Sequence, residues 1–481
     1  MSIRLRKIFF WILTALFCVT AVFIIPYALG YRFSWQRGIF VFTGSISVKA
    51  NPQTVDIYVD RQPVAKQLFN RLNNAFHVDG LKPGEHFLEV SSPGFRTWSK
   101  RVIVNSGVST EFWNVLLTRI DYPRTAFETT SIGDFFYDTQ KRMAAFVRTN
   151  QEAFTVAVTD VRTAETRDVF SIAGYQFPVE AKENIEWAPK SREILIPVSH
   201  EGKQGYFVVN VDTGQSINLS EIAAEDNLRK ARWDSEEDGY VYYLANQNLY
   251  RINISNPQDK VLVAERVSSY DLSGNRAYYL QLPAGIVYFT TPTTIDKPEQ
   301  VTDTSELDMN DPTYRLTVYD ERRIAFLNQR GDCYLFNEGE KESYFTRLGT
   351  NIAELQFSND GKKLLFWNDW EIMVRFLRDW DVQPYRVENE QRDVVRFSEK
   401  LSNVQWTKDY EHVLFSAGRY IKVAELDHRD QRSLMDITAT DLESTKVVSD
   451  FPNSALYFVD TVDGQNALVS IPFPEKVGIF Q

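Results

Sequence analysis

The sequence predicts an all-β protein behind one N-terminal transmembrane helix: a small antiparallel β-sandwich, then a β-propeller of four-stranded blades. Three observations carry that fold class. An uncharged apolar run extends from Ile8 to Leu29. The chain holds 10 Trp, 23 Tyr and 33 Phe against 5 Met, a balance that favours strands over helices. From Arg124 onward a unit recurs eight times in which an aromatic or β-branched residue is followed by a polar turn and an apolar run.

The first element is the helix. Residues 8–29 reach about 33 Å at the helical rise, enough to cross a hydrocarbon core of ~30 Å. Pro26 lies near the outer end, and Tyr27, Tyr31 and Trp35 follow at the depth of an interfacial aromatic belt. Arg4, Arg6 and Lys7 precede the run, whereas Arg32 and Arg37 follow it, so the charge bias places residues 1–7 in the cytoplasm and the rest outside. A cleavable signal peptide is the competing reading, with Ala28 and Gly30 as small residues, but the run exceeds the usual 7–15 residues of such a segment. Cys18 lies in the run and reads as an apolar cysteine facing lipid. The two cysteines, Cys18 and Cys333, exclude a disulfide framework. The net charge is −11, and removing the three basic residues before the run leaves −14 for the remainder. Nucleic acid is therefore a poor partner for this surface.

After a juxtamembrane segment (30–43), residues 44–119 alternate with period two. Val55, Ile57 and Val59 share one face, and Val102 and Val104 repeat the pattern. Breakers at Asn51-Pro52, Gln62-Pro63, Lys82-Pro83-Gly84 and Ser92-Pro93-Gly94 divide the stretch into six or seven short strands, as a small antiparallel sandwich requires. The turns Gly80-Leu81-Lys82-Pro83-Gly84-Glu85-His86 and Pro93-Gly94-Phe95 resemble those of the PEGA domain. That resemblance implies a surface-exposed, non-enzymatic module of microbial envelope proteins. His77 and His86 have no third ligand at zinc-like spacing and read as packed strand or turn histidines.

The repeats start at Phe136, Trp187, Trp233, Tyr270, Val318, Phe357, Trp406 and Val448, at intervals averaging about 45 residues, the length of a four-stranded propeller blade. Closing the ring would remove exposed strand edges. Ser358-Asn359-Asp360-Gly361, Trp187-Ala188-Pro189 and Trp233-Asp234-Ser235 resemble the turns of TolB-like and WD-repeat-related propellers. Eight anchors imply eight blades over 124–481, and seven is the count if the irregular region between Pro283 and Pro312 holds no blade of its own. Asp121-Tyr122-Pro123 joins the domains so tightly that they are expected to touch.

Catalytic signatures are missing. There is no Gly-x-Ser-x-Gly elbow, phosphate-binding loop, HExxH or CxxC. His200 and His428 read as solvated loop histidines, His412 is the remaining propeller histidine, and Cys333 in GDCYLF reads as an inert buried thiol. The acidic clusters Asp308-Met309-Asn310-Asp311 and Asp460 with Asp463-Gly464 are the candidates for calcium, but they lack EF-hand spacing and read as turns. No metal or cofactor is expected, and no enzyme activity. The most unusual stretch, Phe366 to Val387, holds Trp367, Trp370 and Trp380. Trp370 and Trp380, if exposed, would form a contact patch for a protein or a sugar. The expected function is that of a membrane-anchored extracytoplasmic scaffold of the cell envelope, with the propeller binding another protein. A cell-wall glycan module is the alternative, and a propeller enzyme with a loop-assembled site is the less favoured one.

Overall fold

The computed structural model describes residues 3–28, 31–34, 39–64, 69–70, 74–127, 132–149, 153–179, 183–303, 307–309 and 313–475. Leu29, Gly30, Trp35, Arg37, Asn310, Asp311 and Pro312, named above, lie outside them.

Helix α1 (Ile3–Ala28) has 26 residues and spans about 39 Å. It is long and apolar enough to cross a membrane. Strands β1 (Tyr31–Ser34) and β2 (Ile39–Phe42) then form a hairpin in which Tyr31 pairs with Phe42. The chain therefore returns to the helix end before the sandwich begins. Gly107 lies under this return: a Cβ there would come within 3.0 Å of the Phe42 ring, and its N–H donates to the Thr43 carbonyl at 3.0 Å.

The sandwich comprises β3 (Gly44–Asn51), β4 (Asp56–Val59), β5 (Gln62–Pro63), β6 (Phe69–Asn70), β7 (Ala75–Leu81), β8 (Gly84–Ser91), β9 (Trp98–Val104) and β10 (Ser109–Leu116). One sheet runs β10-β3-β7-β6 and the other β5-β4-β8-β9. The module is not wholly antiparallel, because β10 pairs with β3 in parallel. First and last strands lie side by side in one direction, with the intervening strands acting as the crossover that a parallel pair needs. Alternation holds on β9: Trp98, Lys100, Val102 and Val104 point inward, while Ser99, Arg101 and Ile103 point out.

Among the described residues, eight four-stranded antiparallel sheets follow, at 132–172, 186–218, 229–264, 267–300, 315–349, 354–396, 401–439 and 447–471. The eighth takes its outermost strand, Thr125–Ala126, from the start of the domain, so the first strand closes the ring on the last sheet. Apolar clusters bridge successive sheets all the way round. Phe135, Ala144 and Phe146 of the first sheet meet Tyr457, Val459 and Leu468 of the eighth.

Every anchor falls on the innermost strand of a sheet. Three explain why tryptophan is used there. The indole N–H of Trp187, Trp233 and Trp406 donates to the carbonyl of Phe136, Glu186 and Gln356 on the preceding inner strand, at 3.0, 3.2 and 3.1 Å. Each inner strand has one unpaired edge, and in four of the sheets a side chain of the preceding sheet accepts from an N–H on it. Glu186 accepts from Trp233 N, Asp271 from Val318 N, Gln356 from Trp406 N and Gln405 from Ser449 N, at 2.8–3.3 Å. This pattern sets the equivalences, and it puts Leu272 and Ser449, rather than Tyr270 and Val448, in line with the other anchors. The aromatic at 270 serves differently, donating its hydroxyl to the Tyr242 carbonyl at 2.9 Å.

Candidate binding site

The two ends of the ring differ. In an antiparallel four-stranded sheet the turn between strands two and three lies at the end where strand one begins, and the other two turns lie at the opposite end. The sandwich covers the second kind of end. Its contacts are with the turn 425–433 of the seventh sheet, Gln383 of the sixth, and the tail of the eighth. Its core is continuous with theirs: Val102, Val104, Phe112 and Leu117 share one cluster with Ile421, Met435, Ile437, Phe458 and Phe473.

Charges are buried in this interface and fully matched. Lys100, with a wholly buried side chain, meets Glu425 Oε1 at 2.5 Å and donates to the carbonyls of Asp427, Arg429 and Gln431 at 3.0–3.1 Å. The other Glu425 oxygen accepts from the Trp98 indole at 3.0 Å. Arg429 donates to the Glu111 carbonyl at 2.8 Å, and Gln383 pairs with the backbone of Ser109 and Glu111 at 3.0 and 3.1 Å. Deeper in the propeller, Lys363 and Arg386 hold Glu411 at 2.6–2.8 Å. The Asp409 carboxylate sits 2.9 Å from His412 Nδ1. Although burial opposes charge on both, this pairing holds the His412 imidazolium above its ordinary range and Asp409 far below its own.

At the opposite end a cavity of about 1450 Å³ occupies the axis. Its wall comes from the inner strands and the segments leading into them (Glu183, Glu186, Lys230, Arg232, Asp271, Arg315) and from the turns at 328–331, 351–353 and 368–370. Most of its charges are paired. Arg232 Nε lies 2.9 Å from Glu186 and its Nη1 3.3 Å from Asp271. Arg315 bonds Glu354 through both nitrogens, one at 2.7 Å. Arg330 meets Asp308 at 3.0 Å, and Asp369 meets Lys400 at 3.2 Å.

Glu183 and Lys230 differ from the rest. Lys230 N donates to Glu183 Oε1 at 3.1 Å, and the Tyr206 hydroxyl donates to the other oxygen. Among the described residues the ammonium of Lys230 reaches only Ser269 Oγ, at 3.3 Å. Burial, abetted by Arg315, lowers Lys230 to about 8. Burial also raises Glu183, against the hydrogen bonds from Tyr206 and Lys230 N. Motif inspection missed both residues because neither belongs to a linear signature. The available signal was a pair of ionisable residues just before two inner-strand anchors, Trp187 and Trp233.

The structure does not bring Trp370 and Trp380 together. Trp370, 48% exposed, sits in the turn before strand Glu371–Phe376 and lines the cavity. Trp380 follows the other end of that strand, about 20 Å along. There it is half-buried under Lys362 and Lys363, whose ammonium groups lie 4.6 and 5.0 Å from its ring centre. Trp367 is buried.

The remaining candidates each have local partners. His77 meets Ser47 and Asp79 at 2.9 Å, and His86 meets Asp60 at 2.7 Å. His200 stacks on Tyr175, and Nδ1 of His428 lies 2.5 Å from Arg392. His412 is buried. Cys333 is buried and its thiol is pushed up to about 12. Asp460 bonds Arg124 at 2.7 Å, and Asp463-Gly464 forms a turn with positive φ at both residues. Among the described residues no group of three His, Cys, Asp or Glu side chains converges as a metal site needs.

Residues 43–118 match the PEGA domain. A search of curated proteins found no match. Solved structures similar to the chain include the Cps50 (Swd1) β-propeller domain of Myceliophteria thermophila, 12% identical with a TM-score of 0.44 over 73% of this chain and all of that one. Hsv2p of Kluyveromyces lactis is 11% identical with a TM-score of 0.41, over 63% of this chain and 97% of that one. A eukaryotic initiation factor is 11% identical with a TM-score of 0.46, over 73% and 89%.

Proposed function

We propose that this chain is a membrane-anchored extracytoplasmic scaffold of the cell envelope, in which the propeller presents a binding surface to another protein. The observation that supports it best is the join between the domains. A sandwich that starts beside the end of an apolar helix shares its core and its buried ion pairs with the propeller. Sandwich and propeller are thereby built as one body, whose free end is the cavity end of the ring. A protein that only needed tethering would be served by a flexible linker. The reading is non-catalytic, and among the described residues none of the histidines lines the cavity. The N-terminus is placed in the cytoplasm on the charge bias around the helix.

Topology and partner are tested together in intact cells. Asp238→Cys gives an exposed thiol, while Cys18 lies in the apolar helix and Cys333 is buried. The variant should react with a membrane-impermeant maleimide without permeabilisation, and a photo-crosslinker at Val179, 75% exposed, should yield one defined envelope protein. Labelling that requires permeabilisation would overturn the extracytoplasmic placement, and the absence of any crosslinked product would overturn the scaffold role.

A second reading has its own support. Trp370 stands exposed on the cavity wall, as an indole that stacks on a sugar would. A cell-wall glycan is the ligand class it favours.

A further inference from the structure

We propose that the cavity binds an acidic pyranose, with the sugar carboxylate on the ammonium of Lys230 and a ring stacked on Trp370. The inference rests on the glycan reading of this cavity and is independent of the scaffold role. It starts from the charges. Of the four cations lining the cavity, Arg232, Arg315 and Arg330 each have a carboxylate partner. Lys230 alone has no ion pair among the described residues, and its one hydrogen bond, to a hydroxyl, is long. It is faced by Arg315 from the fifth sheet, Asp271 from the fourth and Glu183 from the segment before the second, with Arg229 on its own strand. A partly desolvated cation with no ion pair of its own is a place where a bound carboxylate gains strongly.

The rest of the wall selects a sugar over a peptide. An extended peptide binds best by adding to a strand edge, yet the inner edges at Trp233, Val318, Trp406 and Ser449 are already occupied by side chains of the preceding sheets. Asn184, Gln329 and Asn351 line the cavity and make no side-chain hydrogen bond among the described residues, so their amides are free for hydroxyl groups. Trp370 supplies the aromatic face. At about 1450 Å³ the cavity is large enough for more than one ring.

The test is calorimetric titration of the full chain in detergent micelles with three probes: a muramic-acid disaccharide, the same disaccharide with its carboxylate amidated, and sodium acetate. The free acid should bind at least tenfold more tightly than the amide, and that advantage should decline as the pH passes 8. Lys230→Met should remove the advantage by weakening the acid far more than the amide, Lys230→Arg should retain it, and Trp370→Ala should weaken both sugars. Thermal unfolding of each variant separates misfolding from lost binding, and the Arg variant keeps the test decisive if the Met variant fails to fold. Equal affinity for acid and amide, or an advantage that survives Lys230→Met, would overturn the inference and leave the glycan reading standing. Acetate competing as well as the disaccharide would reduce the site to a simple anion pocket and overturn it too. Binding of neither sugar would remove both.

Discussion

Two lysines with little access to water sit at opposite ends of the propeller, and they are treated differently. Lys100, at the sandwich end, has a carboxylate at 2.5 Å and three carbonyls as acceptors. Lys230, at the open end, has one hydroxyl at 3.3 Å and, among the described residues, no ion pair, although Glu183 and Asp271 face it together with Arg315 and Arg229. An ammonium has three donors. At the interface all are used, whereas in the cavity most are left for something else. The contrast teaches that burial of charge alone does not mark function. The degree to which the protein itself satisfies the charge separates a fastening from a site.

This comparison can be broken or sharpened by substitution. The largest effect belongs to Lys100→Met, which strands Glu425 in a dry interface and should cost about 3–5 kcal/mol in urea unfolding of the full chain. Trp406→Phe deletes the indole bond to the Gln356 carbonyl and should cost about 1–2 kcal/mol by the same measurement. Lys230→Met should go the other way, leaving stability at pH 7 unchanged or slightly raised. The sign follows from linkage. With the folded group near 8 and the free side chain near 10.5, the unfolded chain binds more protons between those values. Wild-type stability should therefore rise with pH across that window, and the rise should vanish in Lys230→Met. A fall in its place would show that Lys230 has an unseen anionic partner in the fold. The smallest effect is expected of Arg101→Ala: its pair with Asp430, at 2.8 Å, is solvated on the arginine side, and the unfolding midpoint should not move measurably.

Much of the architecture was legible because it is written in periodicity. Alternation gave the sandwich strands, and an aromatic every 45 residues or so gave the inner strands of the ring. Two of those anchors were misaligned, at Tyr270 and Val448, because an aromatic or β-branched residue marks a strand without marking its register. The register is set by the hydrogen bonds that Asp271 and Gln405 accept from the Val318 and Ser449 N–H groups of the next sheet. The site was less legible. The sequence marks Trp370 and Trp380 together, but the strand between them sets them at opposite ends, and of the two it is Trp370 that lines the cavity. Lys100 did leave a trace, as a lysine on the inward face of β9 between Trp98 and Val102. Its partner Glu425 lies 325 residues away, beyond the reach of any local pattern.

The central claim is that sandwich and propeller form one mechanical body. Scanning calorimetry of the full chain tests it most directly. A shared core and the Lys100–Glu425 pair predict a single cooperative transition for the wild type, which splits into two in Lys100→Met. Two separate transitions in the wild type would contradict the claim and return the propeller to the status of a loosely tethered domain.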